Sequence, residues 1–243
     1  MTQPESGVRG RTGVLAGSRS RSLPRLIGHV LGAFVLVEAL LLGLGLLVTR
    51  VLVQGTLHRE EVAFERSLPA HRTPLWNDVT HYGSLLGATG TIVVLTAAGC
   101  LLLAWLGHGP RLPVFLAVAV AGETALFLLA TLVVDRIRPP IQHLDVAPQT
   151  SSFPSGHTAA AIALACGLAL GLGRTRPRHR LRALVWLLAV VLPVVVLVSR
   201  LYRGMHWPSD VAASVVFTVT WLLLLRGILL PPEVADRSPP VRR

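Results

Sequence analysis

Lysine is absent from the 243-residue chain, so all 23 side chains counted as Lys or Arg are arginine. We read this as a matter of genomic base composition, and it leaves arginine to supply the fixed positive charge. Charged residues of both signs are also scarce, at 14% against about 25% in a soluble domain. With 52% hydrophobic residues and a mean hydropathy of +0.61, that scarcity excludes an ordinary soluble globule and points to a bilayer as the solvent. Cysteine is limited to Cys100 and Cys166. Both lie in apolar stretches, where a thiol behaves as a small hydrophobe, so neither a disulfide framework nor redox chemistry is expected. The net charge of +11 comes without an RNA-binding or zinc-ligand pattern, and the arginines cluster outside the apolar runs. A nucleic-acid partner is therefore not expected.

What the chain does have is long apolar runs, and a helix needs about 20 mostly apolar residues to cross a bilayer. Six candidates occur, at about 26–50, 83–106, 113–134, 157–173, 182–200 and 209–230. They predict an all-α, polytopic membrane protein, a six-transmembrane-helix bundle over 25–230, flanked by mobile tails at 1–24 and 231–243 that are too polar and too rich in Gly, Pro and Arg to pack. The first run is too long for a cleaved signal peptide and is expected to stay as an anchor. Arg9, Arg11, Arg19, Arg21 and Arg25 precede it, Arg174, Arg176, Arg178, Arg180 and Arg182 fill the fourth connection, and Arg237, Arg242 and Arg243 end the chain. The positive-inside rule puts these three segments, and both termini, in the cytoplasm. The connections 51–82, 135–156 and 201–208 then face outward. They still carry Arg59, Arg66, Arg72, Arg136, Arg138 and Arg203, offset in part by Glu60, Glu61 and Glu65. Arg136, Arg138, Arg200 and Arg203 call for a functional reason.

Small residues offer close helix contacts at Gly28 and Gly32, at Gly83 and Gly87, and from Ala159 to Ala169. Glu38 and Glu123 lie inside their runs, where an ionised side chain is costly. The structural reading is favoured for Glu38. Glu123 is either a buried structural hydrogen bond or a link to the site.

Three outward segments hold residues unusual beside hydrocarbon: Asp135-Arg136-Ile137-Arg138-Pro139, Phe153-Pro154-Ser155-Gly156-His157, and Ser199-Arg200 through His206-Trp207-Pro208-Ser209-Asp210. In the second, a helix start with free backbone N–H groups suits an anion. Ser155 can cap that helix, Gly156 admits a phosphate oxygen to the backbone, and His157 stands on the first turn. A plain capped helix with an interfacial histidine would look similar. In the third, His206 and Asp210 are four residues apart at a start marked by Pro208, and so share a face. Asp210 can fix the tautomer of His206 and free its other nitrogen to attack. The bland alternative is a surface His-Asp pair with Trp207 as an interfacial anchor. Arg138 and Arg200 can supply bidentate donors to a transferring phosphoryl group, whereas Arg136 and Arg203 fit snorkelling as well as function.

Arg138-Pro139, Pro154-Ser155-Gly156-His157, and Ser199-Arg200 followed by His206 and Asp210 resemble, in order, spacing and setting, the three signature motifs of the type 2 phosphatidic acid phosphatase superfamily. The resemblance spans about 26–230. It implies a membrane lipid phosphatase with His206 as nucleophile, Asp210 as its orienting partner and His157 as general acid. Arg138, Arg200, Ser155 and the Gly156 N–H would hold the phosphate. The family's first motif opens with a lysine where this chain has Thr131, so one phosphate cation is missing, and Arg136 is a candidate replacement. The resemblance implies no metal or other cofactor, and two histidines with one aspartate lack the further ligands of a catalytic metal. The implied substrates are phosphatidic acid, phosphatidylglycerol phosphate or a polyprenyl diphosphate. The alternatives are a lipid phosphotransferase using the same phosphohistidine and a non-catalytic lipid-binding or transport homologue. Soluble vanadium haloperoxidases share related motifs, but the apolar runs argue against them.

Overall fold

The computed structural model describes residues 22–107, 109–173 and 179–230. The arginine-rich segments 1–21, 174–178 and 231–243 lie outside the described residues, as does most of what was expected of the tails. The described secondary structure is helical, with no strand among these residues. Helix α1, Leu23–Leu46, starts at a proline in its first turn and runs on through a widened turn at Leu47–Val51 and a tight one at Leu52–Gln54. Then come α2 (Thr56–Ser67), α3 (Pro74–Leu85), α4 (Thr89–Trp105), α5 (Arg111–Val133), α6 (Gly156–Leu172), α7 (His179–Tyr202) and α8 (Pro208–Leu229).

Leu23–Gln54, α5, α7 and α8 are each long and apolar enough to cross a bilayer, and α3 with α4 forms a fifth candidate bent by 49°. By length and composition, four or five of the six expected crossings are thus found among the described residues. The missing member is α6, whose 17 residues rise only about 26 Å at 1.5 Å each, short of an approximately 30 Å hydrocarbon core. It can be short because it is not a lipid-facing helix. It packs against α4, α5, α7 and α8, and its Ala and Gly residues, among them Ala159, Ala163 and Gly167, are buried. The expected run 83–106 is also broken, at a turn closed by the Gly87 N–H on the Ser84 carbonyl.

The core sits where α1, α5, α6 and α8 meet, around Leu41, Phe115, Leu126, Phe217 and Trp221. Gly83 and Gly87 make the close contacts their size suggested. A Cβ on Gly83 would fall 2.3 Å from Ser199 Oγ, and one on Gly87 would fall 2.7 Å from the His157 carbonyl oxygen. Gly28 and Gly32 do not, having nothing within 4 Å of a built Cβ.

Because α5 to α6 and α7 to α8 are both reversals, the C-terminal ends of α5 and α7 and the N-terminal ends of α6 and α8 share one end of the bundle. All three motif segments are there. Helix α2 caps that end. It is polar overall, and its buried residues are Glu61 and Glu65, so it turns carboxylates rather than hydrocarbon inward.

One close contact gives a direct test of packing. The Trp221 indole N–H donates to the Ala119 carbonyl at 2.9 Å, and a Cβ on Gly122 would lie 2.3 Å from that ring. Gly122→Ala is expected to cost about 1–3 kcal/mol through overpacking, read as a lowered Tm in detergent.

Candidate active site

The connection after α7 turns at Gly204, whose φ of +71° is accessible to glycine without strain, and delivers His206 to a buried position, 4% exposed. Its Nδ1 lies 2.7 Å from the Ser152 carbonyl oxygen and 3.8 Å from Asp210 Oδ2. A carbonyl can only accept, so Nδ1 carries the proton and Nε2 is left with its lone pair. Ser152 itself is pinned by its N–H, which donates to the Arg136 carbonyl. Burial, then the positive charges of Arg200 and Arg138, hold His206 well below the usual imidazole range, so the ring is neutral.

The nearest acceptor for His206 is therefore a backbone oxygen, where the sequence pointed to Asp210. Asp210, fully buried, accepts from the Trp207 N–H at 2.9 Å and from the guanidinium of Arg136. Arg136 also donates to Glu61 of α2 at 3.0 Å and to Ser209 Oγ at 2.8 Å, and its cation lies 5.4 Å from the Trp207 ring centre. Glu61 in turn accepts from the Ser209 N–H at 2.7 Å. Arg136 thus faces a carboxylate pair and is not among the residues lining the cavity described below. Thr131, at the family's lysine position, donates back to Leu128 of its own helix.

Arg138 stitches the other two motif segments together, donating to the Met205 carbonyl at 2.6 Å and the Ser151 carbonyl at 3.3 Å. Arg200 donates to Ser84 Oγ and Asp145, each at 2.8 Å. Arg203 meets the other oxygen of Asp145 at 2.7 Å and donates to the Asn77 and Leu144 carbonyls. It is a buried structural cation, not a snorkelling one. Burial alone would push the Asp145 carboxyl up, but its ion pairs with Arg203 and Arg200 outweigh that and hold it below the usual carboxylate value.

Helix α6 begins between these groups. Its first intrahelical bond runs from the Ala159 N–H to the Ser155 carbonyl, so the N–H groups of Gly156 and His157 precede the helical ladder. Gly156 is needed for space, because a Cβ there would lie 2.9 Å from the Phe127 ring. Ser155 occupies the N-cap without a side-chain capping bond. Its hydroxyl pairs with that of Thr158 at 3.0 Å, and its N–H donates to Ser214 at 2.9 Å.

His157, His206, Arg138, Arg200 and Gly156 line a single cavity of about 430 Å³. Ser155 and Asp210 stand behind its wall. The Nε–H groups of Arg138 and Arg200, like those of Arg72 and Arg203, are buried and lack a hydrogen-bond partner. Sequence reading missed Ser152, Asp145 and the direct role of Glu61. Ser152 acts through its backbone, which leaves no trace in residue type. Asp145 and Glu61 are acids whose partners lie 55 or more residues away.

A helical membrane bundle, with two imidazoles and two guanidinium groups lining one cavity at its end, is the class of protein that fold and site define. A family model described as PAP2 superfamily matches residues 112–230, and the chain belongs to that superfamily, the type 2 phosphatidic acid phosphatases. No curated protein matches the chain by sequence. Among solved structures, the chain is similar to a transmembrane PAP2 type phosphatidylglycerolphosphate phosphatase from Bacillus subtilis. The match has 20% identity and a TM-score of 0.67, covering 83% of this chain and 94% of that one. At that identity the likeness establishes the fold.

The carboxylates behind the wall generate a pH prediction. Glu65 is buried with neither oxygen hydrogen-bonded. Burial first, then Asp210 and Glu61, push its pKa up to about 8 from an ordinary 4.5. A carboxyl raised on folding costs stability above its unfolded pKa, and the cost grows until pH passes the folded value. Glu65→Gln is therefore expected to be more stable than the wild type at pH 9, with the difference shrinking toward pH 5, as measured by thermal unfolding across that range.

Proposed function

We propose that this protein is an integral membrane phosphatase that hydrolyses a lipid phosphate or diphosphate through a phosphohistidine on His206. The observation that carries the reading is one cavity lined by two imidazoles and two guanidinium groups. One of the imidazoles, His206, is neutral with its Nε2 lone pair free, and an oxyanion there would meet both cations.

In this reading Arg138, Arg200 and the N–H groups at the start of α6 bind the nonbridging oxygens and stabilise the charge that spreads over them in transfer. His206 Nε2 attacks phosphorus, and the bond to the alcohol oxygen breaks. His157, protonated when the anionic phosphate binds beside it, gives that oxygen its proton and is left neutral, then takes one from the water that cleaves the phosphorus–nitrogen bond. Ser152 holds the tautomer. Asp210, through Arg136 and the Trp207 N–H, holds the loop that carries the nucleophile, with Ser155 packed behind it. Two guanidinium groups and a helix start supply the charge compensation, so the reaction asks for no metal. The substrate class is phosphatidic acid, phosphatidylglycerol phosphate or a polyprenyl diphosphate.

Six membrane crossings, with α6 as the short sixth, bring the site to the face opposite the arginine-rich segments. The site is then extracytoplasmic in the cell membrane, with both termini in the cytoplasm. An opening there suits a substrate whose tail remains in lipid.

Purified protein is expected to release phosphate from lipid phosphates in the presence of chelator, and His206→Ala to reduce release to background. Undiminished turnover by that variant would exclude the nucleophile. Orthovanadate, which resembles the phosphoryl transition state, should inhibit at millimolar levels or below. Because His206 stays neutral well below its ordinary 6.5, the acid limb of kcat/KM due to nucleophile protonation should fall below pH 6.5, as a pH profile would read.

A further inference from the structure

One group on the cavity wall has no part in this chemistry. Glu123 of α5 is 1% exposed and lines the same cavity as His157, His206, Arg138 and Arg200. Its Oε1 has no hydrogen-bond partner. Its Oε2 has a single long contact, 3.4 Å from the Thr124 hydroxyl, which already donates to the Val120 carbonyl at 3.0 Å. No arginine or histidine forms an ion pair with it among the described residues.

Its depth follows from helix geometry. Phe127 lies one turn farther toward the site along α5, with its ring against Gly156, so Glu123 sits about 6 Å below the level of the phosphate-binding glycine. The same cavity is lined by the apolar Ile92, Val93, Val120 and Ala160, with Val120 and Ala160 each within one helical turn of the Glu123 level on α5 and α6. A buried carboxyl with an unpartnered oxygen on a mostly apolar wall is costly unless the occupant brings it a partner.

A lipid phosphate built on glycerol brings such a partner, because its acyl ester carbonyls follow the phosphate by a few bonds. A carbonyl can only accept, so the protonated carboxyl is the form that meets it. A polyprenyl chain has nothing to offer at that depth and would leave the carboxyl unsatisfied. We propose that Glu123 is a specificity-determining residue that hydrogen-bonds an acyl ester of the substrate, and that the enzyme selects acylglycerol phosphates over polyprenyl phosphates. The proposal rests on the lipid phosphatase reading above and adds to it a second point of contact, on the tail side of the phosphate.

The test is phosphate release by the full-length protein in mixed micelles, from diacyl phosphatidic acid, its dialkyl ether counterpart and a polyprenyl diphosphate. The ether lipid keeps the phosphate, glycerol and chains but lacks the carbonyls. Wild-type kcat/KM is expected to be about tenfold or more higher for the diacyl lipid than for the ether or polyprenyl substrate, the discrimination one buried hydrogen bond supports. Glu123→Leu should bring the diacyl-to-ether ratio close to one, and Glu123→Gln, which keeps an N–H donor, should retain most of it. Wild-type protein that turns over diacyl and ether lipids alike overturns the assignment of Glu123 and leaves the phosphatase reading intact. So does a Glu123→Leu variant slowed equally on all three. The wild-type ratio needs no variant and stands even where Glu123→Leu fails to fold. Release from none of the lipids, with wild type and His206→Ala indistinguishable, overturns the phosphatase reading and this proposal with it.

Discussion

A guanidinium group can be buried at the end of an apolar bundle only if acceptors are built around it, and four of them organise this molecule. Arg136, Arg138, Arg200 and Arg203 each bond to chain segments distant in sequence. Their acceptors are backbone carbonyls, Asp145, Asp210 and Glu61. Removing one partner would leave an uncompensated buried charge, which costs far more than the pair itself contributes. The loops at 134–155 and 203–207 have no regular secondary structure, and these arginines fix their shape. Of the four, Arg138 and Arg200 line the cavity.

Position separates two roles for charge which look alike in sequence. Arg136 and Arg203 pair with carboxylates, hold loops in place and are not among the cavity's lining residues. Arg138 and Arg200 also make structural bonds, Arg200 with Asp145 among them, but line the cavity. Burial, and then the same positive field, hold His206 neutral, and the Ser152 carbonyl selects its tautomer. Substrate-binding charge and nucleophile activation are thus one arrangement. The cations that would bind an anion also keep the imidazole lone pair free.

Helix α6 shows how packing relaxes a length rule. Judged as an isolated run it is a weak crossing, yet it is the helix with neighbours on most sides, and its small residues let α5, α7 and α8 approach. The break at Gly87 belongs to the same logic. It brings the α3–α4 turn against the His157 backbone, so the bend that spoiled a continuous apolar run also supports the site.

The sequence by itself determined the all-helical class, the apolar runs and the three motif segments, because hydropathy and short-range spacing are written in residue types. It also located His157, His206, Arg138 and Arg200, which the tertiary structure brings to one cavity. Tertiary structure alone decided that Ser152 rather than Asp210 is the nearest acceptor for His206. It also decided that Arg136 turns to Glu61 and Asp210, and that Glu123 faces the cavity. The physical reason is the same in each case. A backbone carbonyl has no residue signature, a long arginine can reach several acceptors, and the face a helical carboxyl presents depends on which neighbours pack around it.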